Sequence, residues 1–297
     1  MTPEKILSNP ARVLTQRQRE QYFELGYVSV DSLVPAETID ALRNVTEDFV
    51  QASRQVTVSG EVFDIGPGHC RERPVVRRIK RPDDQHAAYW EFASGLMADV
   101  AADLVGPDVV FHHSKLNFKW FDQASSTDTV NWHQDSQFFP HTNYNVLTIG
   151  CYLHDTDMSN GPVGILPASQ NGPLYDLYDK NGKWTGNLQD EDAAAIDISK
   201  AVYLTGPAGS ITIHNCRTVH YSPASQSSQP RPLLLNCYSA ADAKAYTPHP
   251  DPSSHAYELV RGHPARWAEH DPRPCQIPPD WSGGYTSIFA AQAGENA

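Results

Sequence analysis

The chain has 297 residues, 40% of them hydrophobic, which is enough for one large domain with a buried core. Its 23 basic and 35 acidic residues give a net charge of −12, which argues against nucleic acid or an anionic membrane as a partner. No apolar run approaches the roughly 20 residues that span a bilayer. The five cysteines are widely spread and fit a reducing cytoplasm. We therefore expect a single cytoplasmic domain over residues 1–297, with its oligomeric state undecided.

The first third of the chain has helical periodicity. A helix is predicted to start near Thr15, a short strand to follow at Tyr27–Val30, and further helices to cover 35–49 and 87–104. Residues 57–82 have no clear period and are predicted to form a loop. We expect residues of about 15–104 to form a helical N-terminal support.

After Gly106 and Pro107 the sequence pattern changes from helical to strand-like. Residues 109–121 alternate clearly, with His113, Lys115, Asn117 and Lys119 on one face of the predicted strand. Further short strands are predicted at 130–139, 146–153, 202–204, 210–214 and 232–238. Several short strands after a helical start favour a mainly β fold with flanking helices, a jelly roll or barrel. The core is expected at about 109–240, with a C-terminal extension at 241–297.

One pair of residues has the spacing of metal ligands. His133 and Asp135 are two positions apart, so on a strand an imidazole and a carboxylate leave the same face. A second histidine from a distant strand would complete the two-histidine, one-carboxylate set that holds iron(II). His214 and His220 share the required parity in residues 210–221, and periodicity does not choose between them.

The chain contains a second copy of this spacing, His249-Pro250-Asp251. It lies in a segment with several prolines and no alternation. Proline cannot join a central ladder, so no rigid strand would aim the two side chains at one point. We interpret this copy as a loop feature without a ligand role.

Four separate blocks in fixed order carry a resemblance to a known family. They are residues 132–136 (WHQDS), 160–169 (NGPVGILPAS), 218–222 (TVHYS) and Arg231. With the opening at 14–30, they make the chain resemble the phytanoyl-CoA dioxygenase family over about 14–238. The resemblance implies a double-stranded β-helix, a cupin-like jelly roll. It also implies iron(II) held by His133, Asp135 and His220, with 2-oxoglutarate and O2 as co-substrates.

The resemblance also implies how 2-oxoglutarate is bound. Arg231 follows His220 by 11 residues, and a guanidinium can grip the distal carboxylate with two parallel hydrogen bonds. Ser222 matches a family position that contacts the same co-substrate. Thr148 is similar to a strand residue that donates a hydroxyl nearby, and Asn117 lies where an amide could reach it.

These observations predict an iron(II)- and 2-oxoglutarate-dependent oxygenase. The expected reaction is hydroxylation of an unactivated C–H bond of a small organic substrate, with release of succinate and CO2. Asp135 argues against a halogenase, which needs a small residue in place of the carboxylate. Desaturation or rearrangement of a secondary metabolite by the same centre is an alternative. A second alternative, from a different class, is a metal-free jelly-roll binding protein. Loss of a metal ligand or of Arg231 would have favoured it.

A basic segment leaves open whether the substrate is anionic. Six basic residues fall within 11 positions: Arg71, Arg73, Arg77, Arg78, Lys80 and Arg81. They form either a solvated loop or an anion-binding segment. By the resemblance, Arg78 or Lys80 is a candidate to contact 2-oxoglutarate. The aromatic residues Trp281, Tyr285 and Phe289 are predicted to form a lid or pocket wall, or else to pack in the core.

Overall fold

The computed structural model describes residues 1–121, 128–281, 285 and 287–294. Within these ranges the α-helices are Pro3–Ser8 (α1), Gln16–Leu25 (α2), Ala36–Ser53 (α3), Pro82–Gln85 (α4), Ala87–Phe92 (α5), Ala98–Val105 (α6), Asp190–Ala195 (α7) and Ile288–Ala293 (α8). The strands are Tyr27–Val30 (β1), Phe63–Ile65 (β2), Val76–Lys80 (β3), Val109–Lys119 (β4), Val130–His133 (β5), Val146–Tyr152 (β6), Val163–Ile165 (β7), Val202–Leu204 (β8), Ile211–Asn215 (β9), His220–Ser222 (β10), Arg231–Ala240 (β11) and Leu259–Arg261 (β12). No helix in the described part is long and apolar enough to cross a membrane.

The start of α2 is fixed by a capping box. The side chain of Thr15 accepts a hydrogen bond from the backbone of Gln18, and the Gln18 side chain accepts one from the backbone of Thr15. The helix ends at Gly26, whose φ of 79° is the left-handed conformation that glycine adopts without a steric cost. The chain then enters β1 directly. The predicted helix start and strand are confirmed.

The larger sheet has eight strands in the order β1-β9-β6-β11-β4-β3-β2, with β12 also paired to β4. Its central pairs are long and antiparallel, and β11 lies between β4 and β6. In the β11–β4 register, Arg231 lies opposite Lys119 and Leu233 opposite Asn117. This register places the polar face predicted for β4 beside the first residues of β11.

The smaller sheet has four strands in the order β5-β10-β7-β8, all antiparallel. Apolar residues from both sheets form one buried cluster, to which Tyr152 and Leu233 contribute from the larger sheet and Val163 and Ile165 from the smaller. Two antiparallel sheets packed face to face through such a cluster make a jelly roll. The predicted mainly β fold with flanking helices is therefore confirmed. Helix α6 packs against the larger sheet, and every residue of this helix except Asp99 is buried.

The loop predicted at 57–82 is wrong, because it contains β2 and β3. These strands extend the larger sheet beyond β4. All five residues of β3 are buried although three of them, Arg77, Arg78 and Lys80, are basic. The strand signal was missed because charged side chains occupy positions where an apolar alternation is expected.

The strand predicted at 130–139 ends earlier, at His133. Gln134 is still extended, with φ −120° and ψ 139°, and a single helical turn follows at Asp135–Gln137. Strand geometry therefore extends to the residue between His133 and Asp135 but not through Asp135. The helix predicted at 87–104 is likewise interrupted between α5 and α6, where Gly95 leaves helical dihedral angles.

Candidate metal centre

Three buried side chains converge between the two sheets. His133 ends β5, Asp135 opens the following turn, and His220 begins β10. His133 and His220 are paired residues in the antiparallel ladder, so their side chains lie next to each other on one face. Their Nε2 atoms lie 3.8 and 3.9 Å from Asp135 Oδ1, and the potential ligand atoms all lie within 4.8 Å of one another.

Hydrogen bonds orient each of these side chains. Nδ1 of His133 is 2.8 Å from the carbonyl oxygen of Asn131, and Nδ1 of His220 is 2.9 Å from that of Thr218. Because a carbonyl can only accept, both imidazoles carry their proton on Nδ1 when neutral and present an Nε2 lone pair to the centre.

The carboxylate of Asp135 is oriented in the same way. Its Oδ2 accepts a hydrogen bond of 2.7 Å from the hydroxyl of Thr148 and lies 3.3 Å from His214 Nε2. This leaves Oδ1 facing the two imidazoles. Thr148 and His214 therefore hold the carboxylate in one orientation from behind.

The electrostatics keep the three groups in the form that a metal ion requires. Burial lowers the pKa of His133 to about 4 and the pKa of His220 well below its ordinary value. Burial acts to raise the pKa of Asp135, but the hydrogen bond with His214 and the charge of Lys115 hold that pKa well below its usual range. Two neutral imidazoles and an ionised carboxylate are the donor set of a non-haem iron(II) centre.

His214 and His220, which periodicity could not separate, both lie beside Asp135. His214 reaches Oδ2, on the far side of the carboxylate, whereas His220 shares Oδ1 with His133. Among the described residues, the group whose ligand atoms converge is His133, Asp135 and His220. The donor chemistry and geometry fit iron(II) with His214 outside the ligand set.

The four residues predicted to bind 2-oxoglutarate line one cavity with this centre: Asn117, Thr148, Ser222 and Arg231. Arg231 is only 3% exposed. Its Nη2 donates to the carbonyl of Gly161 at 2.8 Å and to the hydroxyl of Ser222 at 3.3 Å. Its Nε and Nη1 are buried without a partner in the described part of the chain. A buried guanidinium with free donors fits an anionic carboxylate.

Lys119 is a buried cation at the same end of this cavity that the sequence did not single out. Its Nζ donates to the carbonyls of Asp128 and Ser222, the latter at 3.2 Å. Burial and the neighbouring charge of Arg231 hold the pKa of Lys119 well below its ordinary value. Its position on the polar face of β4, two residues after Asn117, was the signal that could have found it.

Thr148 and Asn117 have partners within the protein. The hydroxyl of Thr148 donates to Asp135, so its visible role is to hold the carboxylate. The Oδ1 of Asn117 accepts a hydrogen bond of 2.9 Å from Arg78 Nε. A direct contact of either residue with 2-oxoglutarate stays a prediction.

A second cavity shares Lys115, Asp135 and Ile288 with the first. Its polar wall includes Arg78, Lys80 and Lys115 from β3 and β4, with His113 and His249. Ile288, in α8, lines both cavities, and Trp281 and Tyr285 line the second one. Phe289 lines the first cavity, so all three aromatic residues predicted as pocket residues lie at a cavity wall.

The basic segment divides between the surface and this cavity. Arg71 and Arg73 are exposed, as a solvated loop requires. Arg77 is buried and pairs with Asp64 at 3.0 Å, which is a structural contact. Arg78 and Lys80 are buried and line the second cavity. The solvated-loop interpretation is therefore wrong for the second half of the segment.

His249-Pro250-Asp251 lies outside the strands and outside the candidate ligand group of the described residues, as predicted, but it is not remote from the site. All three residues line the second cavity, and His249 stacks on His113 with ring centroids 4.4 Å apart. Asp251 pairs with Arg81 at 3.3 Å. The prolines prevent strand pairing, as expected, but the segment is placed against β4 by its contacts with buried side chains.

A jelly roll with this buried triad and an arginine-lined cavity defines the class of iron- and 2-oxoglutarate-dependent oxygenases. The family model for phytanoyl-CoA dioxygenase (PhyH) matches residues 22–233. A probable alpha-ketoglutarate-dependent hypophosphite dioxygenase of Stutzerimonas stutzeri is 30% identical over 233 residues, covering 76% of this chain and 79% of the relative. The chain belongs to the phytanoyl-CoA dioxygenase family, and it is an iron(II)- and 2-oxoglutarate-dependent oxygenase.

Other relatives agree with this membership. An ectoine dioxygenase of Sphingopyxis alaskensis is 22% identical over 275 residues, covering 85% of each chain. The crystal structure of EctD from S. alaskensis with 2-oxoglutarate and 5-hydroxyectoine superposes with a TM-score of 0.66 at 21% identity, covering 89% of each chain. This similarity confirms the double-stranded β-helix predicted for the fold.

Proposed function

We propose that His133, Asp135 and His220 hold iron(II), that Arg231 and Ser222 bind the distal carboxylate of 2-oxoglutarate, and that the enzyme hydroxylates an unactivated C–H bond of a small organic substrate. The observation that carries the proposal is the placement of Arg231. Its two unpartnered donors are buried in the same cavity as the triad. A zinc hydrolase or a metal-free binding module gives no reason for such an arginine.

Each residue of the chain has a separate task in this account. When bound, iron(II) and 2-oxoglutarate supply the oxidising chemistry, with release of succinate and CO2. Thr148 and His214 fix the carboxylate of Asp135 so that Oδ1 faces the metal position. Arg231 orients the co-substrate by its far end. Ile288 and Phe289 of α8 cover the cavity with apolar surface, which excludes water.

The second cavity supports a small anionic substrate. Its volume is about 40 Å³, compared with the roughly 10–15 Å³ that holds one water molecule. Arg78, Lys80 and Lys115 supply positive charge at its wall. A small acid with its reactive C–H bond directed at the iron position fits this charge and size.

A second candidate substrate is a phosphorus oxyanion. The relative from S. stutzeri is named as a hypophosphite dioxygenase. Hypophosphite is a very small anion, and the cavity of this chain is small and cationic. The corresponding reaction would hydroxylate a P–H bond with the same co-substrate.

We also infer that the chain acts as a single domain in a reducing cytoplasm. All five cysteines are free thiols, and three of them are buried. A reducing compartment keeps such thiols and an iron(II) centre in their reduced states. The charge of −12 supports a small-molecule substrate rather than a nucleic acid.

The proposal is tested first without oxygen. Anaerobic addition of iron(II) and 2-oxoglutarate to the protein should produce a weak visible charge-transfer band. Folded protein that gives no band would contradict the proposal and would favour a binding module.

The reaction is tested next by its products. With oxygen and a screen of small acids and hypophosphite, the accepted substrate should give succinate and a product that has gained one oxygen atom. A product that has lost two hydrogens instead would indicate desaturation, and an isomeric product would indicate rearrangement.

A further inference from the structure

Three buried histidines, His112, His113 and His141, form a cluster beside the second cavity with the partly buried His249. His113 and His249 stack on each other and line the cavity. Burial lowers the pKa of His249 and of His141 to about 4, and it holds the pKa of His112 and of His113 well below the ordinary value. All four rings are neutral at pH 7, so each carries one ring proton. Which nitrogen carries it determines what the cavity offers to a ligand.

The proton of His249 is placed by its neighbour. Its Nδ1 accepts a hydrogen bond of 3.1 Å from the backbone N–H of Asp251. A nitrogen that accepts has a lone pair, so the ring proton is on Nε2. No described residue forms a hydrogen bond with this Nε2–H, which leaves it as a donor for a ligand.

The proton of His113 is placed by its contact with His112. The two Nδ1 atoms are 2.7 Å apart, so one of them donates to the other. Nε2 of His112 is buried and has no partner among the described residues. An orphaned N–H group is less tolerable than an orphaned lone pair, so His112 carries its proton on Nδ1 and donates it. His113 then carries its proton on Nε2, as a second donor at the cavity.

Three cations complete this wall. Arg78 is 5% exposed, and its Nη2 has no partner in the described part of the chain. Lys80 and Lys115 line the same cavity. The two carboxylates that also line it are engaged, because Asp135 belongs to the triad and Asp251 pairs with Arg81. The free polar groups are therefore donors, and a ligand without acceptors would leave them unsatisfied.

We propose that the second cavity is an oxyanion site in which the neutral Nε2–H groups of His113 and His249 determine specificity together with Arg78, Lys80 and Lys115. The site takes a carboxylate or a phosphorus oxyanion, whose several acceptor oxygens match the several donors. A protonated acid or an amide would bring a donor of its own against this wall. The inference rests on the proposed function, because it names the substrate class of that site.

The binding test compares near-isosteric probes. The full chain, loaded with zinc(II) in place of iron and saturated with 2-oxoglutarate, is titrated calorimetrically with acetate, methylphosphonate and acetamide. Acetate or methylphosphonate should bind at least about tenfold more tightly than acetamide, since a hydrogen bond to a charged group contributes roughly 1.5–3 kcal/mol. The preferred anion distinguishes carboxylate from phosphorus chemistry. Equal binding of acetamide and both anions, or no binding of either anion, would overturn the inference.

A variant pair isolates the histidine donor. His249→Gln keeps an N–H donor and should retain anion affinity within about threefold, whereas His249→Leu should lose about ten- to a hundredfold. His263→Leu, at an exposed position, is the control and should bind like the parent protein. Equal affinities of the Gln and Leu variants would contradict a donor role for His249.

The ring protons can be observed directly, without any variant. Nitrogen-15 spectra of the zinc-loaded protein should show His113 and His249 as Nε2–H tautomers. An Nδ1–H tautomer at either position would overturn the inference. If the iron(II) charge-transfer band forms while acetate and acetamide bind equally, the oxyanion site fails and the proposed function stands. If the band is absent while the anions still bind selectively, the proposed function fails instead.

Discussion

The two His-x-Asp segments of this chain lie at two cavities that share Asp135 in their walls, and they have different roles. His133 and Asp135 direct Nε2 and Oδ1 toward the same point, 3.8 Å apart, where His220 joins them. His249 and Asp251 line the wall of the second cavity, but Asp251 turns to Arg81. Identical residue spacing therefore gives a candidate ligand set in one case and a candidate substrate wall in the other.

The two histidines differ in the hydrogen-bond partner of their Nδ1 atoms. The backbone carbonyl of Asn131 accepts a hydrogen bond from Nδ1 of His133 and leaves Nε2 free to coordinate. A backbone N–H donates to Nδ1 of His249 and so makes Nε2 a donor that cannot coordinate in that tautomer. The comparison teaches that the partner of one ring nitrogen decides whether a buried histidine acts as a ligand or as a hydrogen-bond donor.

The largest expected effect distinguishes the carboxylates of the two segments by their contribution to iron binding. Asp135→Ala should weaken iron(II) binding by more than about a hundredfold, since it removes a charged ligand from a buried site. Asp251→Ala should leave iron affinity within about twofold, because its carboxylate pairs with Arg81. Iron content after dialysis measures both. Comparable iron loss in the two variants would contradict the assignment of Asp135, but not Asp251, as a metal ligand.

The next largest effect concerns Arg231, which lines the same cavity as His133 and Asp135. Arg231→Leu should raise the KM for 2-oxoglutarate about ten- to a hundredfold, because it removes a charge-assisted pair of hydrogen bonds. Arg273→Leu is the matched control, since Arg273 pairs with Asp271 on the surface. Steady-state succinate formation measures both. An unchanged KM in Arg231→Leu would contradict the co-substrate assignment.

A smaller effect sharpens the role of the residues behind Asp135. Thr148→Val keeps the shape of the side chain but removes its hydrogen bond to Oδ2, and should weaken iron(II) binding about tenfold. Thr212→Val is the matched control, because the buried hydroxyl of Thr212 has no partner among the described residues. Competition with a metal-sensitive dye measures the affinities. Equal affinities for the two variants would show that Thr148 does not position the carboxylate.

The sequence predicted the candidate centre better than the cavity beside it. The triad and Arg231 lie in blocks with a family resemblance, and their side chains converge through strand pairing. The second cavity is formed by residues whose patterns point elsewhere: β3 is a buried strand with a basic face, and His249 lies between prolines. Their placement depends on long-range pairing of β3 with β4 and on packing of the C-terminal extension, which local periodicity does not report.

The smallest expected effect concerns the lowered histidine pKa, which the two His-x-Asp segments share. Burial lowers the pKa of His133 and of His249 to about 4, below the roughly 6.5 of an unfolded histidine. The unfolded chain therefore binds more protons in this window. The stability contributed by neutral histidines is present above pH 6.5 and is lost as the pH falls toward 4.

Metal-free protein should accordingly unfold at lower temperature at pH 5 than at pH 7. His249→Gln should reduce this dependence by about 1–2 kcal/mol across the window, whereas exposed His263→Gln should not change it. Thermal unfolding followed by circular dichroism measures the slopes. A slope in His249→Gln equal to that of the parent protein would mean that His249 is not held neutral by burial.

The identity of the second histidine ligand is the central claim, because periodicity left it open and both candidates contact Asp135. Iron stoichiometry of His220→Ala and His214→Ala, measured after anaerobic loading and gel filtration, tests it most directly. His220→Ala should lose its iron, whereas His214→Ala should retain it with about tenfold lower affinity, as a residue that only orients a ligand does. Loss of iron in His214→Ala with retention in His220→Ala would contradict the account.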